Sequence, residues 1–442
     1  MPDEKINVQP TKELFIYMLT RDVKLEKAII DLIDNSIDAA INNALNDDLS
    51  PFTINITINK DEFIINDNCG GIDIKTAKEY AFKFGRPETV DKKVGNIGQF
   101  GIGMKRTIFK LGKMCQIESQ SLNTKFNLTL DIEQWKIDPD DWTLQLNAKN
   151  FQTPIPLKDT YTNIHITNLN KEVSANFIIQ NFINELKLEI KEAHAYSLAK
   201  GLNIFVNGDR LSYNVPVLKS TDEINILMKN YVFDKDTEDE IKITLYAGIQ
   251  KRDLTEAGWY IYCNNRLLVS ANQNLMTGWE SNGVRKFHPD FAFFRGYVFF
   301  ESQNGDKLPW TTTKDGINFN SEVYQKILLE MQNSIKPILN FLSDFAKEKS
   351  LVKNDPEKIE PVLFPAITKL LEEGDDVNIK TITISQEFKS PSYSLTAPRK
   401  IGTITFSKPL SELNNIKKIY GLSTNKDIGE MTYRYFIENE ME

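Results

Sequence analysis

The chain has little cysteine and no long apolar segment. Its three cysteines, Cys69, Cys115 and Cys263, lie far apart in 442 residues, and their spacing fits neither a disulfide framework nor a zinc site. Cys69 is expected to be a small buried apolar residue and not a redox switch. No apolar stretch approaches the roughly 18 residues of a membrane span, and the first residues, MPDEKINVQP, are acidic and polar, unlike a signal peptide. We therefore expect a cytoplasmic protein with no membrane partner.

Positive charge and histidine are also scarce. The 53 Lys and Arg residues are outnumbered by 61 Asp and Glu, which gives a net charge of -8 and argues against a general polyanion-coating protein. The three histidines, His165, His194 and His288, are scattered, which predicts structural or surface positions for them. What the chain does have is 41% hydrophobic and 26% charged residues, typical of a globular protein. A prior of about 150 residues per domain predicts two or three domains.

Hydrophobic periodicity divides the chain into three parts. Residues 1–200 are predicted to form an α/β domain, with helices over 12–46, strands at 52–59 and 62–67, and further strands from about 114 to 168. Residues 201–349 are strand-rich and end in a long predicted helix, which indicates a second α+β domain. The charged stretch KEKSLVKNDPEKIEP is the predicted linker. Residues 350–442 form a tail with a helix near 362–373, a strand-like IKTITIS, and a strand, helix, turn and helix over about 399–440.

The segment DLIDNSIDAA concentrates polar groups on a predicted amphipathic helix. It sets Asp31, Asp34, Asn35 and Asp38 within two helical turns. A helix that only packs has no need of so many acidic and amide side chains. The pattern therefore indicates a site that uses them.

Two further segments of the first domain favour a nucleotide. In INDNCGGID, Asp67 ends a predicted strand and two glycines follow, so the backbone can approach a flat ligand while the carboxylate faces an exocyclic amine. In GNIGQFGIGMK, four glycines precede a predicted helix, and such a loop is an anion cradle. It is not a P-loop, because Met104 stands where that motif has its lysine. In the second domain, LPWTTTKDGIN places Lys314 on a polar turn, where a cation could report on a terminal phosphate.

In this order and at these separations, DLIDNSIDA, DNCGG and GQFGIGMK resemble the nucleotide-binding motifs of the GHKL ATPases, which include DNA gyrase, the ninety-kilodalton heat-shock chaperone, histidine kinases, MutL and MORC. WTTTK is similar to the phosphate-sensing lysine loop of the transducer domain in gyrase, MutL and MORC. The resemblance covers about residues 12–340. It implies an α+β fold: a Bergerat-fold α/β sandwich ATPase domain, an S5-like α+β transducer domain and a small C-terminal α/β tail. It also implies ATP and Mg²⁺ as cofactors.

The resemblance assigns roles to individual residues. Asn35 would ligate the Mg²⁺, Asp67 would bind the adenine amine, and Gly71 would close against the base. Thr162 would lie near adenine, although Tyr161 stands where the family has a glycine, and Lys314 would reach the γ-phosphate. The residues expected to wrap or approach the phosphates are Gly98, Gln99, Phe100, Gly101, Ile102, Gly103, Met104 and Lys105.

Two further positions depart from the family. Asp31 occupies the position where MutL, gyrase and MORC carry a glutamate that activates water. A carboxylate suits general-base work, but the side chain is one methylene shorter and the geometry of attack controls the rate, which predicts slow hydrolysis of ATP to ADP and phosphate. Cys69 replaces a family glycine, with Gly70 gained beside it, and the contact through Asp67 should survive this change.

The leading hypothesis is a homodimeric clamp or switch that ATP closes on DNA or on a partner protein of the same system, as in MutL and MORC, with a role in DNA processing or phage defence. A second hypothesis is an ATP sensor or scaffold that does not hydrolyse, serving in DNA processing or phage defence. A GHKL kinase fits less well, because no histidine has the setting of a phosphoacceptor. A chaperone fits poorly as well, because the chain is short and carries a lysine where the chaperone has an arginine.

The C-terminal unit leaves two interpretations open. It resembles a ribbon-helix-helix module in which Ile404 and Phe406 would point inward and Thr403, Thr405 and Ser407 would read the DNA major groove. The favoured alternative is a docking or dimerising tail, because Arg399, Lys400 and Lys408 supply little positive charge for duplex binding.

Overall fold

The computed structural model describes residues 8–83, 103–311, 313–314, 316–354, 361–391 and 404–440. The predictions for Gly98, Gln99, Phe100, Gly101 and Ile102 lie outside these residues. By contacts, the chain forms two compact units. The larger combines Met1–Lys349 with Pro361–Tyr393, and the smaller combines Ser350–Glu360 with Ser394–Glu442.

The first sheet of the larger unit has the order β5-β4-β3-β6-β2-β1-β7-β8 in the part of the chain that is described. The pair β1–β7 is parallel, and the other pairs are antiparallel. The strands are β1 (Thr53–Ile58), β2 (Glu62–Asp67), β3 (Gly112–Gln120), β4 (Thr124–Asp131), β5 (Leu146–Asn150), β6 (Tyr161–Leu169), β7 (Asn203–Val206) and β8 (Asp209–Arg210).

Alternation along β2 decides where its last residue points. Phe63 and Ile65 are buried against the helices, and period-two geometry puts Asp67 on that same face. Each buried aliphatic or aromatic side chain of this kind stabilises the layer by roughly 1.5–3 kcal/mol. The strand therefore brings a carboxylate to the edge of an apolar layer.

Helices accompany this sheet, and some of them start at a side-chain cap. Thr11 accepts a hydrogen bond from Leu14 N at the start of α1 (3.2 Å), and Asp73 accepts one from Thr76 N at the start of α3 (2.9 Å). A π-helical turn, Ala77–Ala81, follows α3. The helices are α1 (Lys12–Thr20), α2 (Leu25–Asn43), α3 (Ile74–Thr76), α4 (Gly103–Leu111), α5 (Ile132–Ile137), α6 (Lys171–Phe177), α7 (Gln180–Ala193) and α8 (Ala195–Ala199).

The second sheet of the larger unit has the order β13-β12-β14-β11-β9-β15, with β10 also paired to β11, among the described residues. The long helix α9 (Glu322–Asn354) follows it and contains Pro337. The strands are β9 (Val217–Ser220), β10 (Leu227–Phe233), β11 (Ile241–Ile249), β12 (Gly258–Cys263), β13 (Arg266–Asn272), β14 (Phe294–Ser302) and β15 (Asp375–Asn378). With the first sheet, this confirms the predicted α+β class.

Residues 361–393 pack with the second sheet. Buried Glu348 of α9 accepts hydrogen bonds from Val362 N (2.8 Å), Leu363 N and Phe364 N, so its carboxylate caps the start of α10 (Leu363–Glu373). β15 then pairs with β9. The predicted boundaries at 200/201 and 349/350 stay predictions, and these contacts join 361–393 to the larger unit.

The smaller unit contains α11 (Leu410–Tyr420) and α12 (Asn425–Glu440). Gly421, at φ 67°, ends α11 in the left-handed conformation that glycine favours. Thr424 and Asp427 cap α12 reciprocally: Asp427 N donates to Thr424 Oγ1 (3.1 Å), and Thr424 N donates to Asp427 Oδ2 (2.6 Å). Residues 404–409 are not in a strand, although the sequence predicts one there. No helix in the described ranges is long and apolar enough to cross a membrane.

Candidate functional site

Helix α2 has two buried faces of different character. One is apolar and packs in the core with residues such as Ile29, Ile33 and Ile37. The other carries Asp31, Asp34 and Asp38, which are also buried; the spacing of three and four residues places them on one stripe. In the structure these three carboxylates therefore share one face of α2, and that face is enclosed.

Asp31 is held by the helix that follows the glycine-rich segment. Its side chain is 2% exposed, and its Oδ2 accepts a salt-bridging hydrogen bond from Arg106 of α4. Its Oδ1 is buried and has no hydrogen-bond partner among the described residues. The first residue of α4, Gly103, is so close that an added Cβ would lie 3.3 Å from Asp31 Oδ2. Arg106 therefore fixes one oxygen of this carboxylate, and Arg266 Nη1 lies 3.8 Å from the other.

Asp34 receives cations from the second sheet and its following loop. Its side chain is fully buried, and its Oδ2 accepts from Arg266 and from Lys314 Nζ at 3.1 Å. His194 Nε2, at the end of α7, lies 3.4 Å from the other oxygen. A buried carboxylate is stable only when paired in this way.

Lys314 reaches α2 from a tight turn. Lys314 N donates to Thr311 O (2.9 Å), and the backbone of Lys314 has φ 50°, a left-handed conformation that non-glycine residues rarely adopt. Its ammonium lies 5.8 Å from the centre of the Trp310 ring and is 6% exposed. This uncommon backbone conformation directs the Lys314 side chain toward the buried carboxylates of α2.

Burial lowers the pKa of two groups near Asp34. It lowers the pKa of Lys314 to about 8, against the attraction of Asp31. It lowers the pKa of His194 to about 3, with the cations Lys314 and Lys27 adding to the effect. His194 is therefore neutral at pH 7.

The predicted adenine end is built around Asp67. Ser36 of α2 donates to Asp67 Oδ2 (2.7 Å), and Cys69 N donates to Oδ1 (2.9 Å). Burial raises the pKa of this carboxyl, opposed by those hydrogen bonds. Cys69 is fully buried, as predicted, and burial raises the pKa of its thiol as well.

Thr162 and Gly71 lie beside Asp67. Thr162 is the antiparallel partner of Asp67 across β2 and β6, and its hydroxyl is 3.2 Å from that of Ser119 on β3. Gly71 has φ 68°, and an added Cβ would meet Gln120 O at 2.1 Å. The backbone here approaches a neighbouring strand so closely that only glycine fits. The structure places these residues next to one another, and their role at a nucleotide stays a prediction.

The remaining predicted residues differ in their exposure to solvent. Asn35 is exposed on α2, where a ligand could reach its amide, and Met104 is buried. Lys105 is buried and donates to Ala81 O (2.9 Å) and Lys83 O at the end of the π-helical turn. Burial lowers its pKa to about 7. In this structure Lys105 binds the helix end that precedes the glycine-rich segment.

Three residues of the site were missed by the sequence analysis: Arg106, Arg266 and His194. Arg106 directly follows the predicted loop residues, so its helical position was the available signal. Arg266 and His194 belong to no motif used above. Their role depends on contacts with Asp34, which is more than 150 residues away from each along the chain.

In the described ranges, no three His, Cys, Asp or Glu side chains lie together in a way that could hold a metal ion. Mg²⁺ at nucleotide sites needs one or two protein oxygens, with phosphates and waters as the other ligands. The exposed amide of Asn35 is compatible with that requirement.

Residues 23–163 match the family model described as "Histidine kinase-, DNA gyrase B-, and HSP90-like ATPase". This range contains α2, Asp67, the glycine-rich segment and Thr162. A search of curated proteins found no significant match to the chain. Residues 23–163, about a third of the chain, therefore form an ATP-binding domain of the GHKL ATPase type.

Proposed function

We propose that the protein is a slow, Mg²⁺-dependent ATPase that works as an ATP-gated homodimeric clamp on DNA or on a partner protein. The observation that supports this most is the contact between Lys314 and Asp34 (3.1 Å). It joins a cation from the loop after the second sheet to the helix that carries Asn35 and Asp31. A phosphate bound there would be in reach of both parts of the larger unit.

The base end of the proposed site fits adenine. Asp67 has acceptor oxygens fixed by Ser36 and Cys69 N, and the exocyclic amine of adenine is a donor. Thr162 adds a hydroxyl next to it, and the backbone at Gly71 leaves a flat surface. In the proposal, these residues orient the base and Asn35 holds Mg²⁺.

Asp31 is the proposed general base. Bound Mg²⁺ would neutralise charge on the phosphates and assist departure of ADP. Asp31 Oδ1, which accepts no hydrogen bond from the described part of the chain, would take the proton of the attacking water. Arg106 fixes the other oxygen and so orients the carboxylate. The short side chain and this charge pairing both favour slow turnover.

Lys314 is the proposed link between nucleotide and movement. It would leave Asp34 for the γ-phosphate, so that ATP and ADP favour different arrangements of the second sheet. ATP can shift the population only by its differential affinity for those arrangements. Closure of two chains on each other would then follow the nucleotide state.

The smaller unit is proposed to dimerise or dock. Ile404, Phe406, Leu410, Tyr435 and Phe436 are all more than half exposed, and α12 buries Ile428. Residues 404–409, which are not in a strand, have backbone groups that a second chain could pair. Both interpretations of this unit, a DNA-reading ribbon and a dimerising tail, stay predictions.

The alternative function is a sensor or scaffold that binds ATP without turnover. Asp31, shorter than the family glutamate and tied to Arg106, is the observation that favours it. The two functions differ in whether ADP is released.

Steady-state ATP hydrolysis with Mg²⁺, with and without duplex DNA, tests the proposal. We expect slow turnover that Asp31→Asn abolishes while ATP binding is retained, and Asp22→Asn, at an exposed site on the same domain (89% exposed), should change nothing. Stimulation by DNA would support a DNA clamp. ATP binding without turnover in the wild type would instead support the sensor.

Dimerisation tests the part assigned to Lys314. Light scattering or sedimentation with a non-hydrolysable ATP analogue should show dimers for the wild type and fewer for Lys314→Ala. Lys307→Ala changes a surface lysine of the same region, 48% exposed, and serves as the matched control. Full retention of nucleotide-dependent dimers in Lys314→Ala would contradict the proposed link.

A further inference from the structure

Arg266 stands on a rigid hairpin. It follows the turn between β12 and β13, where Asn264 and Asn265 both have positive φ (46° and 64°), the backbone of a tight two-residue hairpin turn. Asn264 is hydrogen-bonded in both directions to Ser302 of β14 (3.1 Å each). The turn is thereby fixed to the second sheet.

The guanidinium of Arg266 lies between two carboxylates. Its Nη1 forms the salt bridge with Asp34 Oδ2 and lies 3.8 Å from Asp31 Oδ1. The side chain is 2% exposed. A planar, permanently charged group with several donors suits such a position, and a lysine would supply a single mobile point charge.

Asp34 Oδ2 is shared by two cations that come from different segments of the chain. Arg266 comes from the fixed hairpin, while Lys314 comes from a turn closed by its own hydrogen bond to Thr311 O. If Lys314 departs, Asp34 keeps a buried partner. If Arg266 were absent, departure of Lys314 would leave a fully buried carboxylate without a cation on Oδ2, which is strongly unfavourable.

We propose that Arg266 is a positioning residue that makes Lys314 exchangeable. The link between Asp34 and Arg266 is permanent, and the link between Asp34 and Lys314 is broken when Lys314 moves to the terminal phosphate of ATP. This inference rests on the proposed function of Lys314 as the γ-phosphate contact. It adds a requirement: triphosphate recognition depends on an arginine that binds no phosphate.

The test is the ratio of affinities for a non-hydrolysable ATP analogue and for ADP, measured by calorimetry on the full chain. We expect the wild type to favour the triphosphate by about tenfold or more, in the usual range of a coupling between sites. Lys314→Ala and Arg266→Gln should each remove most of that preference. The double variant should lose no more than either single one, because both changes block the same exchange.

A second variant separates positioning from simple loss of structure. Asp34→Asn removes the charge that needs a partner, so Asp34→Asn combined with Arg266→Gln should regain the triphosphate preference that Arg266→Gln alone loses. Arg266→Lys, which keeps a cation at Asp34, should retain part of it. ADP affinity and melting temperature check that each variant is folded.

The outcomes distinguish failure of the role proposed for Arg266 from failure of the role proposed for Lys314. Equal ratios for wild type and Lys314→Ala would overturn the proposed role of Lys314, and the inference with it. A ratio lost in Lys314→Ala but kept in Arg266→Gln would overturn the inference alone. Failure of the Asp34→Asn rescue in a folded double variant would also overturn it.

Discussion

Asp34 and Arg266 form a salt bridge in which neither side chain reaches solvent, with exposures of 0% and 2%. One belongs to the helix of the ATP-binding domain and the other to a hairpin of the second sheet. Removing one partner from a buried pair leaves an uncompensated charge. This buried salt bridge therefore connects the second sheet to α2, the helix that carries the proposed base Asp31.

The preference for triphosphate over diphosphate should decline in alkaline solution. Burial lowers the pKa of Lys314 to about 8, while Asp31 and Asp38 favour its charged form and Arg266 and Arg106 oppose it. Only the ammonium form attracts a phosphate, so the preference should be constant below about pH 8. Above it, the preference should fall by at most about tenfold per pH unit, as expected for one proton.

The measurement is the ratio of the two nucleotide affinities from about pH 7 to about pH 9. Lys314→Arg should give a flat profile, because arginine stays charged in this range. A wild-type ratio that does not change across the range would contradict a role for the Lys314 ammonium.

Much of the fold follows from local pattern. The strand alternation in residues 53–58 and 62–67 and the helix around Asp31 are as predicted, because their periodicities match the layers they build. IKTITIS differs: Asn378 accepts a hydrogen bond from Lys380 N (3.1 Å), so Ile379–Thr381 forms a 3-10 turn. A side chain competing with the strand ladder cannot be recognised from alternation alone.

The candidate site was only half predictable. Asp67 and Gly71 were identified because a strand end and a tight glycine turn are local features. Arg106 and Arg266 were not, because charged residues are common and only the folded chain shows which ones are buried against carboxylates. The sequence predicts that Lys314 lies in a turn, but its contact with Asp34 depends on the tertiary structure.

Acid should destabilise the protein partly through His194. Its folded pKa of about 3 lies below the ordinary value of 6.5, so between these values the unfolded chain binds a proton that the folded chain does not. The free energy of unfolding therefore falls as pH drops below 6.5, by at most about 1.4 kcal/mol per pH unit for this group.

Denaturant unfolding of wild type and His194→Asn at several pH values checks this. The variant should show a shallower decline in acid. His288→Asn, at a position 63% exposed, is the control and should keep the wild-type slope. Equal slopes in all three proteins would mean that His194 is not held neutral by the fold.

Arg106→Met should destabilise the fold more when Asp31 is present than when it is absent. The guanidinium is paired with buried Asp31, and removing one partner of such a pair costs about 3–5 kcal/mol; Arg266 at 3.8 Å should reduce that cost. In Asp31→Asn, the same substitution leaves no unpaired carboxylate. The four unfolding free energies of this double-mutant cycle should give a coupling of about 1–3 kcal/mol, and additive effects would show that the pair contributes no net coupling.

Gly71→Ala should lower both stability and nucleotide affinity, and Gly208→Ala separates the two causes. Both glycines have positive φ, 68° and 85°, where an alanine costs about 1–2 kcal/mol. An added Cβ at Gly208 meets no atom of the described residues within 4 Å, whereas at Gly71 it would lie 2.1 Å from Gln120 O. Gly208→Ala should therefore lose only the stability that the strained backbone costs, and its affinity for ADP, measured by calorimetry, should not change. Gly71→Ala should lose more stability and also bind ADP more weakly, because the turn beside Asp67 must move. Equal losses at the two positions, with ADP affinity unchanged, would show that the close approach at Gly71 does not shape the base site.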